Sequence, residues 1–213
     1  MHTFPLVSVI IPTTADRQEF NANIEGLYSC QDYPNKELLL DYGPETIGEK
    51  RNNLCALAKG EIICHMDSDD LYKHDWISKS VDYLTKTGAD VVGLSAFEMY
   101  DTETGIYWRY AYTGDERPWL AGATMVYKRS HWERSPFPKV SSGEDAYFCY
   151  GRNGLVPIVA AHPYIAGFLS LLHKGNTSSK LKCKRWKRLE SPEKEIVNNR
   201  WLTIVPQILP QEL

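Results

Sequence analysis

An apolar run ends abruptly in three carboxylates at Ile62-Ile63-Cys64-His65-Met66-Asp67-Ser68-Asp69-Asp70. The apolar part has the length of a buried strand, and the polar part favours a turn. Aspartates spaced two residues apart in such a turn can converge on one hard cation, because Mg²⁺ and Mn²⁺ prefer oxygen ligands. The stretch therefore predicts a metal site for a diphosphate at the C-terminal edge of a central sheet. The alternative is a solvated acidic turn that caps the next helix.

The residues before this stretch predict alternating strands and helices. Residues 6–11 are apolar and β-branched, which is typical of a strand covered on both faces, and residues 37–40 predict a second strand. Thr46 and Glu49 have capping-box spacing at the start of a helix. Four apolar residues recur at helical spacing after the first strand: Phe20, Ile24, Leu27 and Tyr28. This order predicts an α/β fold whose sheet is mostly parallel.

Three of these predicted strands end in polar residues. Thr13 follows the first strand, Asp41 the second and Asp67 the third. Ligands of parallel α/β sheets bind beyond the carboxyl ends of the strands. We therefore expect these three side chains to lie at one edge of the sheet.

The second half of the chain adds further candidate residues. A glycine that enters a strand, Gly122, lets a ligand approach the backbone closely. Glu144 and Asp145 open a helix after a glycine, where they either serve as an acid/base position or only compensate the helix dipole. Residues 102–105 predict a hairpin turn. The aromatic residues after it either line a sugar-acceptor cleft or only pack within the sheet: Tyr107, Trp108, Tyr110 and Tyr112.

The C-terminal part is basic and then rich in Pro and Gln. Residues 180–188 carry six basic side chains in nine positions, which fits a solvated tail, a flap over phosphates or a patch for an acidic partner. Residues 193–201 predict a last helix. We expect one domain over residues 1–205, followed by a linker or tail at 206–213.

The composition is that of an ordinary globular domain, with 43% hydrophobic and 24% charged residues among 213. The net charge of -3 gives no electrostatic case for binding nucleic acid or a membrane surface. No apolar run approaches the ~20 residues of a transmembrane helix, and the N-terminus does not read as a signal peptide. We therefore expect a cytoplasmic protein. Five scattered cysteines argue against a zinc site or a disulfide framework.

Taken together, these residues resemble an inverting family 2 glycosyltransferase with the GT-A fold, over roughly residues 6–179. The resemblance implies a single Rossmann-like α/β domain whose central, mostly parallel mixed sheet is flanked by helices. Two positions depart from the usual pattern, namely Tyr42 after Asp41 and Thr14 after Thr13. The motifs that carry the resemblance occur in order: Pro12-Thr13, Gln31-Asp32-Tyr33-Pro34, Asp41, Arg51-Asn52, Asp67-Ser68-Asp69, Gly122-Ala123-Thr124, Gly143-Glu144-Asp145 and His173.

The resemblance also implies a role for each site residue. The donor is a UDP-sugar, and Asp41 binds its uracil. Mn²⁺ or Mg²⁺ is held by Asp69 with help from Asp67 and His173. Asp145 is the general base that deprotonates a hydroxyl of a glycan or glycoprotein acceptor. The implied nucleotide-sugar-binding residues are Pro12, Thr13, Thr14, Asp41, Arg51, Asp67, Ser68, Gly122 and Glu144.

The small size further resembles the compact glycosyltransferase domain that chlorella viruses encode for capsid glycans, which implies a viral protein in the host cytoplasm. Two other functions stay open. One is a metal-dependent nucleotidyltransferase, although the loop Pro12-Thr13-Thr14-Ala15 lacks the glycines and basic residues of a phosphate loop. The other is a nucleotide- or glycan-binding module without catalysis. We expect the transferred sugar to be a hexose of glucose or rhamnose type.

Overall fold

The computed structural model of the protein describes residues 4–114, 117–151, 154–176 and 185–201, and leaves out the side chains of residues 18 and 19. The predicted basic stretch is therefore described only from Arg185 onward. The predicted tail at 206–213, and the last residues of the predicted domain, lie outside the described residues.

Strands and helices are interspersed along the described chain. The strands are β1 (Val7–Pro12), β2 (Lys36–Asp41), β3 (Ile62–His65), β4 (Leu71–Tyr72), β5 (Val91–Gly93), β6 (Ala96–Asp101), β7 (Tyr107–Ala111), β8 (Val126–Lys128), β9 (Val159–Ala161), β10 (Phe168–Leu172) and β11 (Trp186–Arg188). The helices are α1 (Gln18–Asn21), α2 (Ile24–Ser29), α3 (Ile47–Leu57), α4 (Trp76–Thr87), α5 (Arg129–Arg134), α6 (Glu144–Tyr150) and α7 (Glu193–Trp201).

A six-stranded sheet with the order β2-β1-β3-β8-β5-β9 lies at the centre. Strand β8 is antiparallel to both of its neighbours, and the other described pairs are parallel. The predicted central, mostly parallel mixed sheet is confirmed. Pro12 pairs with Asp41 at the end of the β1–β2 ladder, so both lie at the same edge of the sheet.

Strand β1 is buried on both faces, as its continuous apolar run predicts. Val9 packs in one apolar cluster with Trp76 of α4, while Ile10 packs in a second cluster with Leu54 of α3. Successive side chains of a strand point to opposite faces, so helices must cover both sides of the sheet. This sandwich holds the carboxyl ends of β1 and β3 in fixed positions.

A second, five-stranded sheet with the order β11-β7-β6-β10-β4 packs beside the first. The predicted hairpin is confirmed, because β6 and β7 are antiparallel and Gly105 adopts a left-handed φ of 67° in the turn between them. Strand β10 joins β6 in parallel, and β11 joins β7. The sequence patterns do not predict these two long-range pairings.

Two local predictions have different outcomes. The capping box at α3 is confirmed, since Thr46 accepts from the backbone of Glu49 and the Glu49 side chain returns to Thr46. A continuous helix through Phe20 and Tyr28 is wrong, because a turn at residues 22–23 separates α1 from α2. Apolar periodicity continues across that turn, so periodicity alone does not reveal it.

In the part of the chain that the structure describes, no helix has the length and apolar character needed to cross a membrane.

Candidate active site

One cleft runs along the carboxyl edge of the central sheet and encloses about 450 Å³. Its lining comes from the end of β1, the turn after β3, the turn before β8, the start of α6 and the second sheet. A cleft of this size, lined by a few convergent polar groups and several aromatic rings, has the character of a small-molecule site.

Three carboxylates converge on one corner of this cleft. One oxygen from each of Asp67, Asp69 and Asp70 lies within 4.8 Å of the others. We call these residues the acidic triad. Asp69 and Asp70 are buried, and Asp70 Oδ1 accepts a hydrogen bond of 3.0 Å from the backbone N–H of Leu171 in β10. The triad thus offers the oxygen ligands that a hard divalent cation prefers, and these residues fit such an ion.

Two nitrogen donors face Asp69 on the same side. Arg17 Nη1 lies 2.9 Å from Asp69 Oδ2, and His173 Nε2 lies 3.0 Å from the same oxygen. His173 Nδ1 accepts from the backbone N–H of Gly175 at 3.1 Å, so Nε2 carries the proton and donates to Asp69. His173 therefore stands beside the triad as a donor here, and its predicted metal ligation stays a prediction. The sequence patterns miss Arg17, because no motif marks the loop in which it lies.

A buried tyrosine fixes the turn that carries the triad. The backbone N–H of Asp67 donates to the Tyr72 hydroxyl at 2.9 Å, and that hydroxyl donates to the carbonyl of Ala123 at 2.9 Å. Burial raises the pKa of Tyr72 well above its ordinary value, helped by the charges of Asp67 and Asp70. The hydroxyl therefore keeps its proton and joins the triad turn to the turn at Gly122–Thr124.

A second acidic pair opens α6. Gly143 precedes it with a left-handed φ of 80°, as the glycine-led helix start predicts. Arg51 Nη1 and Glu144 Oε1 form a buried ion pair of 2.6 Å. Asp145 lies beside this pair, and its Oδ1 accepts from the N–H of Ala146 at 2.7 Å.

The surroundings of Asp145 raise its pKa to about 6. Burial is the largest cause, and the charge of Glu144 adds to it. Arg51 and the N–H groups of Ala146 and Gly122 act in the opposite direction. Burial therefore outweighs the lowering that the start of a helix exerts, and Asp145 can take up or release a proton near neutral pH.

The turn at Gly122 lies between the two acidic groups. A Cβ at Gly122 would lie 2.8 Å from Arg51 Nη2, so the missing side chain leaves room for the guanidinium. The carbonyl of Gly122 accepts from His65 Nδ1 at 2.7 Å. His65 Nε2 in turn accepts from the Tyr127 hydroxyl at 2.9 Å. Burial lowers the pKa of His65 well below its ordinary value, so the ring is neutral and supports the turn. A histidine inside an apolar strand is the signal that could have identified this role.

The structure brings most of the predicted site residues into one cleft, but not all of them. Those that line it are Pro12, Arg51, Asp67, Asp69, Gly122, Glu144 and Asp145. His173 reaches Asp69 from beside the cleft.

The other predicted nucleotide-sugar residues lie outside the lining. Thr13 and Ser68 are buried with their hydroxyl oxygens 3.3 Å apart. Asp41 accepts from the backbone N–H of Gly43 at 2.8 Å, and the carbonyl of Thr14 accepts from an asparagine amide. Their roles in nucleotide binding stay predictions.

A family model described as "Glycosyl transferase family 2" matches residues 43–139, a little under half of the chain. The matched segment contains the acidic triad and Gly122 and ends before the Glu144–Asp145 pair. No curated protein matches the chain.

Solved structures share the fold at low identity. TarS 1–349 from S. aureus in complex with UDP-GlcNAc has 15% identity and a TM-score of 0.56, with 93% of this chain and 73% of that chain covered. Mannosyltransferase PcManGT from Pyrobaculum calidifontis, in complex with GDP-Man and Mn²⁺, has 15% identity and a TM-score of 0.58, with 97% and 63% covered. TarS 1–349 with UDP has a TM-score of 0.53 at 15% identity, with 78% and 60% covered.

This chain thus spans between 60% and 73% of the length of these three structures. The likeness shows the GT-A fold, and with the family match it supports a glycosyltransferase of family 2.

Proposed function

We propose that the protein is a metal-dependent glycosyltransferase that transfers a hexose from a UDP-sugar to a glycan hydroxyl with inversion. One observation carries the proposal. A single cleft holds the acidic triad and, as a separate group, Asp145 with its pKa raised to about 6. A cation site alone would equally suit a binding module, whereas a second carboxylate that titrates near neutral pH suits proton transfer.

The corner around the triad suits the leaving diphosphate. Asp69, with Asp67, would hold Mn²⁺ or Mg²⁺, and such an ion would offset the charge that develops on the leaving diphosphate. Arg17 brings a permanent positive charge to the same corner, because its guanidinium contacts Asp69. These residues bind and orient the donor, and they need not exchange protons.

The start of α6 suits the acceptor. Asp145 accepts the proton of an acceptor hydroxyl as that oxygen attacks the anomeric carbon from the face opposite the leaving group. General-base assistance of this kind contributes about 10²–10⁴ in rate. Positioning of both substrates by the cleft contributes further.

The finer features of the substrates are part of the same proposal. A carboxylate such as Asp41 can accept the imide N–H of uracil, which cytosine lacks, so we favour UDP as the nucleotide. The transferred sugar is of glucose or rhamnose type. The proposal extends to a viral protein that acts on capsid glycans in the host cytoplasm.

A donor screen tests the proposal. The full chain is incubated with UDP-glucose and UDP-rhamnose in the presence of Mn²⁺, and the nucleotide products are separated by chromatography. We expect UDP to be released from at least one donor, slowly without acceptor, and the release to stop when EDTA removes the metal. Metal-dependent UDP binding without any release would indicate a binding module, and cleavage between the two phosphates would indicate nucleotidyl transfer.

A further inference from the structure

Aromatic side chains cover one side of the cleft. We call them the aromatic wall, and they are Phe97, Tyr110, Trp119, Phe168 and Trp186. Their rings form a connected chain of contacts. The centroid of the Phe97 ring lies 5.8 Å from that of Phe168 and 5.4 Å from that of Tyr110. Tyr110 lies 5.2 Å from Trp119 and 4.8 Å from Trp186. These spacings are those of packed aromatic pairs.

The wall consists of a buried base and two partly exposed rings. Phe97, Tyr110 and Phe168 are buried, with exposures of 5%, 8% and 1%. Trp119 and Trp186 are only half-buried, and both line the cleft. Both tryptophans pack against the apolar core and still present part of their rings to the cleft. Apolar ring surface beside a few convergent polar groups is typical of a small-molecule site.

Trp186 reaches the cleft from the far end of the chain. It lies on β11, which pairs with β7 so that Trp186 is opposite Tyr110. Helix α7 follows and packs against the second sheet. Its Arg200 Nη1 lies 2.8 Å from a carboxylate oxygen of the buried Glu98, and its Trp201 is fully buried. The C-terminal segment thus holds Trp186 in a fixed place on the wall.

Polar side chains also line this cleft. Ser141 and Ser142 precede α6, and with Asn176 they line the cleft together with Asp145. A ligand that suits both surfaces must have one apolar face and a polar edge. A pyranose ring has this form, since its axial C–H groups form a face and its hydroxyls form the edge. A lipid chain has no polar edge to offer to these groups.

We propose that the aromatic wall is the acceptor subsite and that it binds a neutral pyranose ring of a glycan, stacked on Trp186 and Trp119. The ring's edge then presents a hydroxyl to Asp145. This inference rests on the proposed glycosyl transfer and names the part of the cleft that selects the acceptor. Trp186 and Trp119 bind the acceptor and take no part in holding the donor.

Equilibrium binding of defined sugars tests the subsite. The full chain, with UDP and Mn²⁺ present, is titrated with cellotriose, mannotriose and chitotriose, and the heat of binding is measured. We expect at least one trisaccharide to bind, and Trp186→Ala to weaken that binding about tenfold. Trp186→Tyr should recover most of the affinity, because an aromatic face is restored. Trp119→Ala, in a different segment, provides a second variant should Trp186→Ala fail to fold.

Two controls separate this inference from the proposed function. Phe4→Ala removes an exposed aromatic ring outside the cleft and should bind the sugars as the wild type does. Hydrolysis of a UDP-sugar without acceptor, measured on the wild type, is the second control. The subsite is refuted if no trisaccharide binds the wild type, or if Trp186→Ala and Trp119→Ala bind as tightly as the wild type. If the wild type does not hydrolyse a UDP-sugar, the glycosyltransferase proposal is refuted instead.

Discussion

The acidic triad and the Glu144–Asp145 pair both consist of carboxylates, but different groups surround them. In the triad, three carboxylates gather within 4.8 Å, and Asp69 receives both Arg17 and His173 on one oxygen. In the pair, the buried cation Arg51 is held by Glu144 at 2.6 Å. Burial is the largest influence on the pKa of Asp145 and raises it to about 6.

The chemistry of a carboxylate depends on where its charged and polar partners lie. Gathered carboxylates attract a cation, because their negative charges add within one small volume. A single carboxylate in a partly buried site instead holds a proton more tightly and can exchange it near neutral pH. The cleft therefore separates binding of the leaving group from proton transfer, and each of the following changes tests that separation.

The largest effect is expected at the proton-transfer end. Asp145→Asn keeps the shape of the side chain and removes its ability to accept a proton. Transfer should fall by about 10²–10⁴, while Mn²⁺-dependent UDP binding stays at the wild-type level. Single-turnover transfer and calorimetric titration measure the two quantities on the same sample. Asp82→Asn, an exposed carboxylate on α4, is the matched control. Wild-type transfer by Asp145→Asn would remove the base assignment.

A smaller loss, in binding, is expected at the triad. Asp69→Ala removes one of the gathered oxygens and leaves Arg17 without its carboxylate partner. Mutation of a residue that only orients a metal ligand lowers metal affinity by about 10–100-fold. Removal of a ligand itself should lower it at least as much. Calorimetry of UDP binding with Mn²⁺, and again with EDTA, provides the measurement. Equal binding by the variant and the wild type would show that the triad is only a solvated acidic turn.

A change of charge inside the acidic pair tests why the pKa of Asp145 is raised. Glu144→Gln removes a negative charge that raises the pKa of Asp145 and releases Arg51, which lowers it. The pKa of Asp145 should therefore move from about 6 toward its ordinary value of 3.8. The acid limb of kcat/KM against pH should therefore shift to lower pH. The readout is the midpoint of this limb and not the absolute rate, because Glu144 is itself predicted to contact the donor. An upward shift, or none, would contradict the electrostatic account.

Local sequence patterns predicted the parts of the site that adjacent residues build. The apolar run into Asp67, the ladder end at Pro12 and Asp41, and the glycine before Glu144 all depend on strand burial or turn geometry. Those features leave a signal within a few residues. The sheet edge and both acidic groups were therefore predictable.

The remaining parts depend on contacts between distant residues. Arg17 reaches Asp69 across 52 positions from a loop without periodicity. Trp186 meets Tyr110 only because β11 adds to the edge of β7. His65 stands out as a polar residue in an apolar strand, but its partner Gly122 lies 57 positions away. Such contacts follow from tertiary packing, which no local spacing encodes.

The most direct measurement compares the pH dependence of kcat/KM for the wild type and for Asp145→Asn. Asp145 must be ionised to accept a proton, so wild-type activity should rise with pH and reach half of its maximum at about pH 6. The residual activity of Asp145→Asn should lack this limb. A variant that keeps the wild-type limb near pH 6 would show that another group accepts the proton, and would contradict the division of work between the two acidic groups.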